Sequence, residues 1–170
     1  MQSLLIIIIV IGTGCSAELP YSVIKIQRDS YISELINNEA HENEINVKTV
    51  SIDFNYNFTV NGGYFDQNNK PLGYLKINTI EIQEKVSKSL SGMLVFNKSG
   101  NIDILWAKTV KVADWDNIIQ NGPFIIDPGG KNGIASNDEK IANRLCIGKY
   151  SNGDIALIYS RKITLGLGNK

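Results

Sequence analysis

The sequence predicts a single-domain α+β fold dominated by strands, with a mixed or antiparallel sheet and few helices. Three observations predict it. Short segments alternate apolar and polar residues with the period of two of a half-buried strand, as in Tyr21-Ser22-Val23-Ile24-Lys25-Ile26. Turn signals recur at Asn97-Lys98-Ser99-Gly100, Asp127-Pro128-Gly129-Gly130 and Ser151-Asn152-Gly153-Asp154. The composition is that of an ordinary globular chain, 43% hydrophobic and 20% charged over 170 residues. With no internal repeat and no low-complexity linker, one core and one domain are expected.

The first element stands apart from that domain. Residues 4–11 read LLIIIIVI, an apolar run too short to span a bilayer as a helix and of the length of a signal-peptide core. Small residues follow as Gly12-Thr13-Gly14-Cys15-Ser16-Ala17, while the leading Met1-Gln2-Ser3 lacks the usual lysine or arginine. Residues 1–17 are therefore expected to be an export signal, residues 18–170 the domain, and the cell envelope or the exterior its location. Two processing routes are open. Gly14-Cys15 resembles the end of a bacterial lipobox, which would make Cys15 a lipidated N-terminus and the membrane a partner through that anchor. Cys15-Ser16-Ala17 also suits ordinary signal cleavage. A third reading makes the run a buried first strand.

Within the domain, residues 21–26 read as the first strand, and Asp29 or Ser30 can cap a short helix through Ile36. Residues 37–46 are polar and acidic and carry the single histidine, His41. Residues 47–60 read as a strand with Ile52, Phe54, Tyr56 and Phe58 on one face. A turn-rich stretch follows over residues 61–73, and further strands are expected at 74–77, 92–97, 102–105, 117–120, 124–127 and 155–160.

Charge and rare residues exclude several chemistries. Lysine plus arginine and aspartate plus glutamate number 17 each, so no basic field recruits nucleic acid, and none is expected as a partner. One histidine and two cysteines leave out a histidine-based zinc site, a Ser-His-Asp triad and a disulfide framework. No metal or cofactor is expected. Cys146, among apolar neighbours in Arg144-Leu145-Cys146-Ile147-Gly148, reads as a small buried hydrophobe.

Four segments carry a resemblance when taken in order: Asn61-Gly62-Gly63-Tyr64-Phe65-Asp66, Pro71-Leu72-Gly73, Gln120-Asn121-Gly122-Pro123 and Arg144-Leu145-Cys146-Ile147-Gly148. Together they resemble the phosphodiester glycosidase family, whose members include enzymes that remove N-acetylglucosamine from a phosphodiester. The resemblance implies a carbohydrate phosphodiester ligand, bound by Asn61, Gly62, Gly63, Tyr64, Phe65, Gln120, Gly122, Pro123 and Arg144. In that reading Asn61 and Gln120 offer directional amides, Tyr64 or Phe65 stacks on a sugar face, and the Arg144 guanidinium forks onto phosphate oxygens. Asp66 is the carboxylate nearest the motif and the candidate catalytic group. The plainer alternatives are that the Asn-Gly-Gly and Gly-Pro segments are only turns, and that Arg144 pairs with Asp138 or Glu139.

The family continues beyond its arginine strand to an Asp-Gly-Gly-x-Ser segment, and nothing equivalent occurs before Lys170. The expectation is thus the front part of such a domain. Two functions stay open, hydrolysis of sugar 1-phosphodiesters in cell-surface glycans and binding of glycan phosphates without turnover.

Overall fold

Two antiparallel sheets make up the fold in the computed structural model, which describes residues 21–28, 30–31, 33–36, 47, 50–51, 56–68, 70–99, 101–127, 129–134 and 140–163. The strands are β1 (Tyr21–Ile26), β2 (Leu75–Ile77), β3 (Ile80–Gln83), β4 (Gly92–Phe96), β5 (Ile102–Trp106), β6 (Asn117–Asn121), β7 (Ala142–Lys149) and β8 (Ile155–Ile163), with a 3-10 turn at Val112–Asp114. The smaller sheet runs β1-β8-β7 and the larger β3-β2-β6-β4-β5. The strand-dominated expectation holds, and every ladder is antiparallel.

Strand alternation builds three layers of core. Ile147, Ile155 and Leu157 on the inner face of the small sheet pack against Leu94, Ile102 and Ile104 on the inner face of the large one. Lys149 reaches across to Asp103 at 3.0 Å. The outer face of the large sheet carries Met93, Val95, Ile118 and Tyr74, covered by Val110, Val112 and Trp115. The outer face of the small sheet carries Cys146, Ala156 and Ile158 under Ile125, Ile126 and Ile134. Cys146 is buried as expected, with none of its surface exposed.

Several local expectations are corrected. Ser30 does not start a helix among the described residues; its N–H and Oγ both donate to the Gln27 carbonyl and close a turn after β1. Val47, Val50 and Ser51 are helical, and residues 56–60 join no strand. Ser51 and Tyr56 bond to each other in both directions, which folds the chain back on itself and takes Tyr56 out of reach of a ladder. Ile52 and Phe54 lie outside the described residues, as do His41 and Cys15. Residues 124–127 make isolated bridges such as Ile126 to Asn132 rather than a strand. Conversely, β3 was not expected. Its hairpin turns on Asn78 and Thr79, both at positive φ (49° and 71°). A β-branched residue rarely takes that conformation, but here Asn78 N–H donates to Asn117 Oδ1 and Thr79 N–H to the Asp116 carbonyl.

The loop joining β7 to β8 is fastened to β1 by one carboxylate. Asp154 accepts from the Arg28 N–H at 2.9 Å, from Asn152 Nδ2 at 2.9 Å and from Lys25 Nζ at 2.8 Å. These donors, the Arg28 N–H first, pull its carboxyl down from 3.8 to about 2. A carboxyl depressed by folding stabilises the native state above its unfolded value and loses that contribution as pH falls through the folded one. The melting-temperature gap between wild type and Asp154→Asn should therefore be full above pH 4 and close by about pH 2. A gap unchanged across that window would rule out this fastening.

Candidate functional site

Strand β6 places the two amide side chains of the Gln120-Asn121 pair on opposite faces, because successive side chains alternate. Gln120 pairs with Met93 and shares the outer face with it; Asn121 pairs with Gly92 and faces inward. The two amides have different surroundings. Gln120 Oε1 accepts from the Tyr74 N–H (3.0 Å) and the Ser87 N–H (2.8 Å), and its Nε2 donates to the Ser87 and Leu90 carbonyls (2.8 and 2.7 Å). All of its hydrogen-bonding positions are filled. The sequence reading has Gln120 offering its amide to a ligand; in the fold that amide ties β6 to residues 74 and 87–90.

Asn121 does the work at the site's other side. Its Nδ2 donates to the Gly62 carbonyl at 2.8 Å, while its Oδ1 is buried with no hydrogen-bond partner among the described residues. The amide cannot be turned round, since that would set two oxygens against each other. Across the sheet, Trp106, Gly92 and Asn121 stand in one register row on the inner face. Trp106 Nε1, a donor, is a second buried polar atom without a partner among the described residues, and its ring stacks on Phe124 at 5.7 Å between centroids. Sequence reasoning missed Asn121 and Trp106 as polar groups of this face; the period-two rule applied to residues 117–121 could have found Asn121.

The loop from Asn61 lies against this row. A Cβ at Gly63 would come within 3.0 Å of Ile119 Cδ1, so the backbone approaches β6 as closely as glycine allows. Tyr64 OH donates to the Gly122 carbonyl at 2.8 Å. The Asn-Gly-Gly-Tyr-Phe loop and the Gln-Asn-Gly-Pro turn, far apart in sequence, are thereby pinned together at two points. Between them lies a small depression bordered by Gly63, Tyr64, Phe65, Pro71, Gly73 and Gln120. Asn61 is half-buried and Phe65 exposed. Gly122 precedes Pro123 through a cis peptide.

Asp66 sits at the tip of the hairpin bridged by Phe65 and Pro71. Its Oδ1 accepts from the Asn68 and Lys70 N–H groups at 2.8 and 2.9 Å, so this oxygen closes the turn that Asp66 itself starts. Tyr74, beside the depression, is held protonated far above the ordinary tyrosine range, by burial first and then by its hydrogen bond to Glu81.

Arg144 lies on the other sheet. It is 6% exposed, its Nη2 donates to the Lys140 carbonyl at 3.0 Å, and its Nε is buried with no partner among the described residues. No carboxylate among the described residues pairs with it; Asp138 and Glu139 lie outside them. The structure thus joins the first and third motif segments, with Pro71 and Gly73 of the second bordering the depression between them, and places Arg144 on the other sheet.

A two-sheet domain with glycine loops pinned over a row of buried polar groups has the directional hydrogen-bonding groups that a small-ligand site uses. The sequence comparison makes it specific. A model of the phosphodiester glycosidase family matches residues 54–166, and the chain belongs to that family. Membership carries a glycosidase-like function and a carbohydrate phosphodiester substrate. No curated protein matches the chain.

Proposed function

We propose that the protein hydrolyses the bond between sugar C1 and a phosphodiester oxygen in glycans of the cell surface, acting outside the cytoplasm after residues 1–17 have directed its export. The observation that carries this reading is the double pinning of the two glycine motifs, Asn121 Nδ2 to the Gly62 carbonyl and Tyr64 OH to the Gly122 carbonyl. Both motifs fall within the family match. Asn61 and Asn121 then orient sugar hydroxyl or acetamido groups, and the Arg144 guanidinium neutralises the phosphate. Water adds to C1 as the C1–O bond breaks, and the phosphate leaves as a monoester that needs little protonation.

The test is release of free sugar and phosphomonoester from an N-acetylglucosamine 1-phosphodiester. Absence of both products at high protein concentration would remove the hydrolase reading. Arg144→Ala should weaken affinity for the substrate by about 1.5–3 kcal/mol, the range for hydrogen bonds to charged groups. Unchanged affinity in a folded variant would take Arg144 out of the site.

A second reading, binding without turnover, is favoured by one observation: the carboxylate within the motif, Asp66, has an oxygen engaged by its own turn. Saturable binding of the phosphodiester without product would select it. On either reading Cys15 is a proposed lipid attachment point, which the mass of the envelope form would reveal.

A further inference from the structure

On the small sheet, Arg144 of β7 stands directly opposite Ser160 of β8, and Ser160 in turn opposite Tyr21 of β1. Residues opposite one another in an antiparallel ladder share a face, so Arg144 and Ser160 project together on the outer side, beyond Cys146 and Ile158. Both are buried, at 6% and 3% exposure. Both also carry an unsatisfied polar atom, Arg144 Nε and Ser160 Oγ. Buried hydroxyls and guanidinium N–H groups are almost always bonded, and no carboxylate among the described residues pairs with the Arg144 charge. Two such groups side by side, one of them charged, offer the donors that an oxyanion accepts.

The ladder is interrupted right beside the pair. Ala142 faces Ile163 and Arg144 faces Ser160, so residues 161 and 162 together oppose Asn143. A bulge of this kind re-aims side chains and leaves backbone unpaired, and it is enriched next to binding sites. Cys146, next on the same face, is packed among Ile125, Ala156 and Ile158 and closes the inner end of the place.

We propose that Ser160 is a phosphate-binding residue, its hydroxyl and Arg144 Nε donating to oxygens of one tetrahedral phosphate group. This rests on the reading of Arg144 as the phosphate contact and adds its partner. The hydroxyl supplies a neutral donor from the neighbouring strand, which fixes the orientation of a group that a lone guanidinium would hold less selectively.

Inorganic phosphate and an N-acetylglucosamine 1-phosphodiester are the probes, titrated into the full chain, Ser160→Ala and the near-isosteric Ser160→Cys. Removing a hydroxyl that has no partner should leave the ligand-free melting temperature unchanged or raise it. Affinity for both probes should fall about 10- to 150-fold in each variant, the worth of one hydrogen bond to a charged group. Affinities within twofold of wild type would overturn the proposal, and so would a wild type that binds neither probe. A marked loss of melting temperature in both variants would show a structural role and overturn it as well. The hydrolysis assay separates the two ideas. Wild type that releases no sugar while Ser160→Ala still loses phosphate affinity removes the hydrolase reading and supports the cradle. Wild type that turns over the diester with a KM shared by Ser160→Ala removes the cradle alone.

Discussion

Replacing Gln120 with leucine is expected to destabilise the domain by about 3–5 kcal/mol. The side chain fits leucine in size, so the loss is not one of volume. It comes from four backbone groups, the Tyr74 and Ser87 N–H and the Ser87 and Leu90 carbonyls, that lose their partner at a residue only 2% exposed. A buried polar group left unpaired costs about 1–3 kcal/mol, and the groups nearest the surface recover part of that from water. Gln120→Glu should cost as much, since it turns an acceptor toward two carbonyls. Urea unfolding of the three proteins decides it, and a leucine variant within 1 kcal/mol of wild type would refute the tie between β6 and residues 87–90.

Gly122→Ala should be nearly as severe, at about 2–4 kcal/mol. Its φ of +149° disfavours an L side chain, and an added Cβ would stand 2.7 Å from the Ser91 nitrogen, a backbone atom that cannot swing aside. The same carbonyl accepts the Tyr64 hydroxyl, so displacement would loosen the pinned loops and lower substrate affinity with stability. Gly129→Ala is the control. Its φ is +100° but nothing lies within 4 Å of the added atom, so it should cost only about 1 kcal/mol. Equal effects at the two glycines would mean that the close approach at Ser91 is unimportant.

The strands that the sequence announces by alternation, β1, β2, β4, β5, β6 and β8, are where they were expected, because each buries one face and the pattern records it. The errors have a shared cause. Ser30, Ser51 and Tyr56 bond to nearby backbone, and such local bonds compete with helix and ladder without altering hydrophobic periodicity. β3 escaped notice because its turn residues, Asn78 and Thr79, are held by partners some forty residues away. At the candidate site, motif order picked out two loops that the structure bonds together, but not the roles of their side chains in that bonding. Gln120 and Asn121 are adjacent amides that no composition rule separates; only the pleat tells which one is tied down and which keeps an open oxygen. Likewise Ser160 carries no motif, and its meaning comes from the residue opposite it on β7.

The pairing of β1 with β8 has a temporal side. Strands β2 to β6 lie within residues 75–121 and can zip up from neighbouring segments, whereas β1 must wait for a partner more than a hundred residues downstream. Contacts that distant in sequence form slowly, since a long loop has to close before any ladder bond compensates it. A nascent chain would thus hold a finished large sheet and a loose leading strand until residue 160 is available. Because Arg144 and Ser160 meet only on that late sheet, the proposed anion cradle forms after the large sheet, and phosphate affinity would serve as a sensor of completed folding.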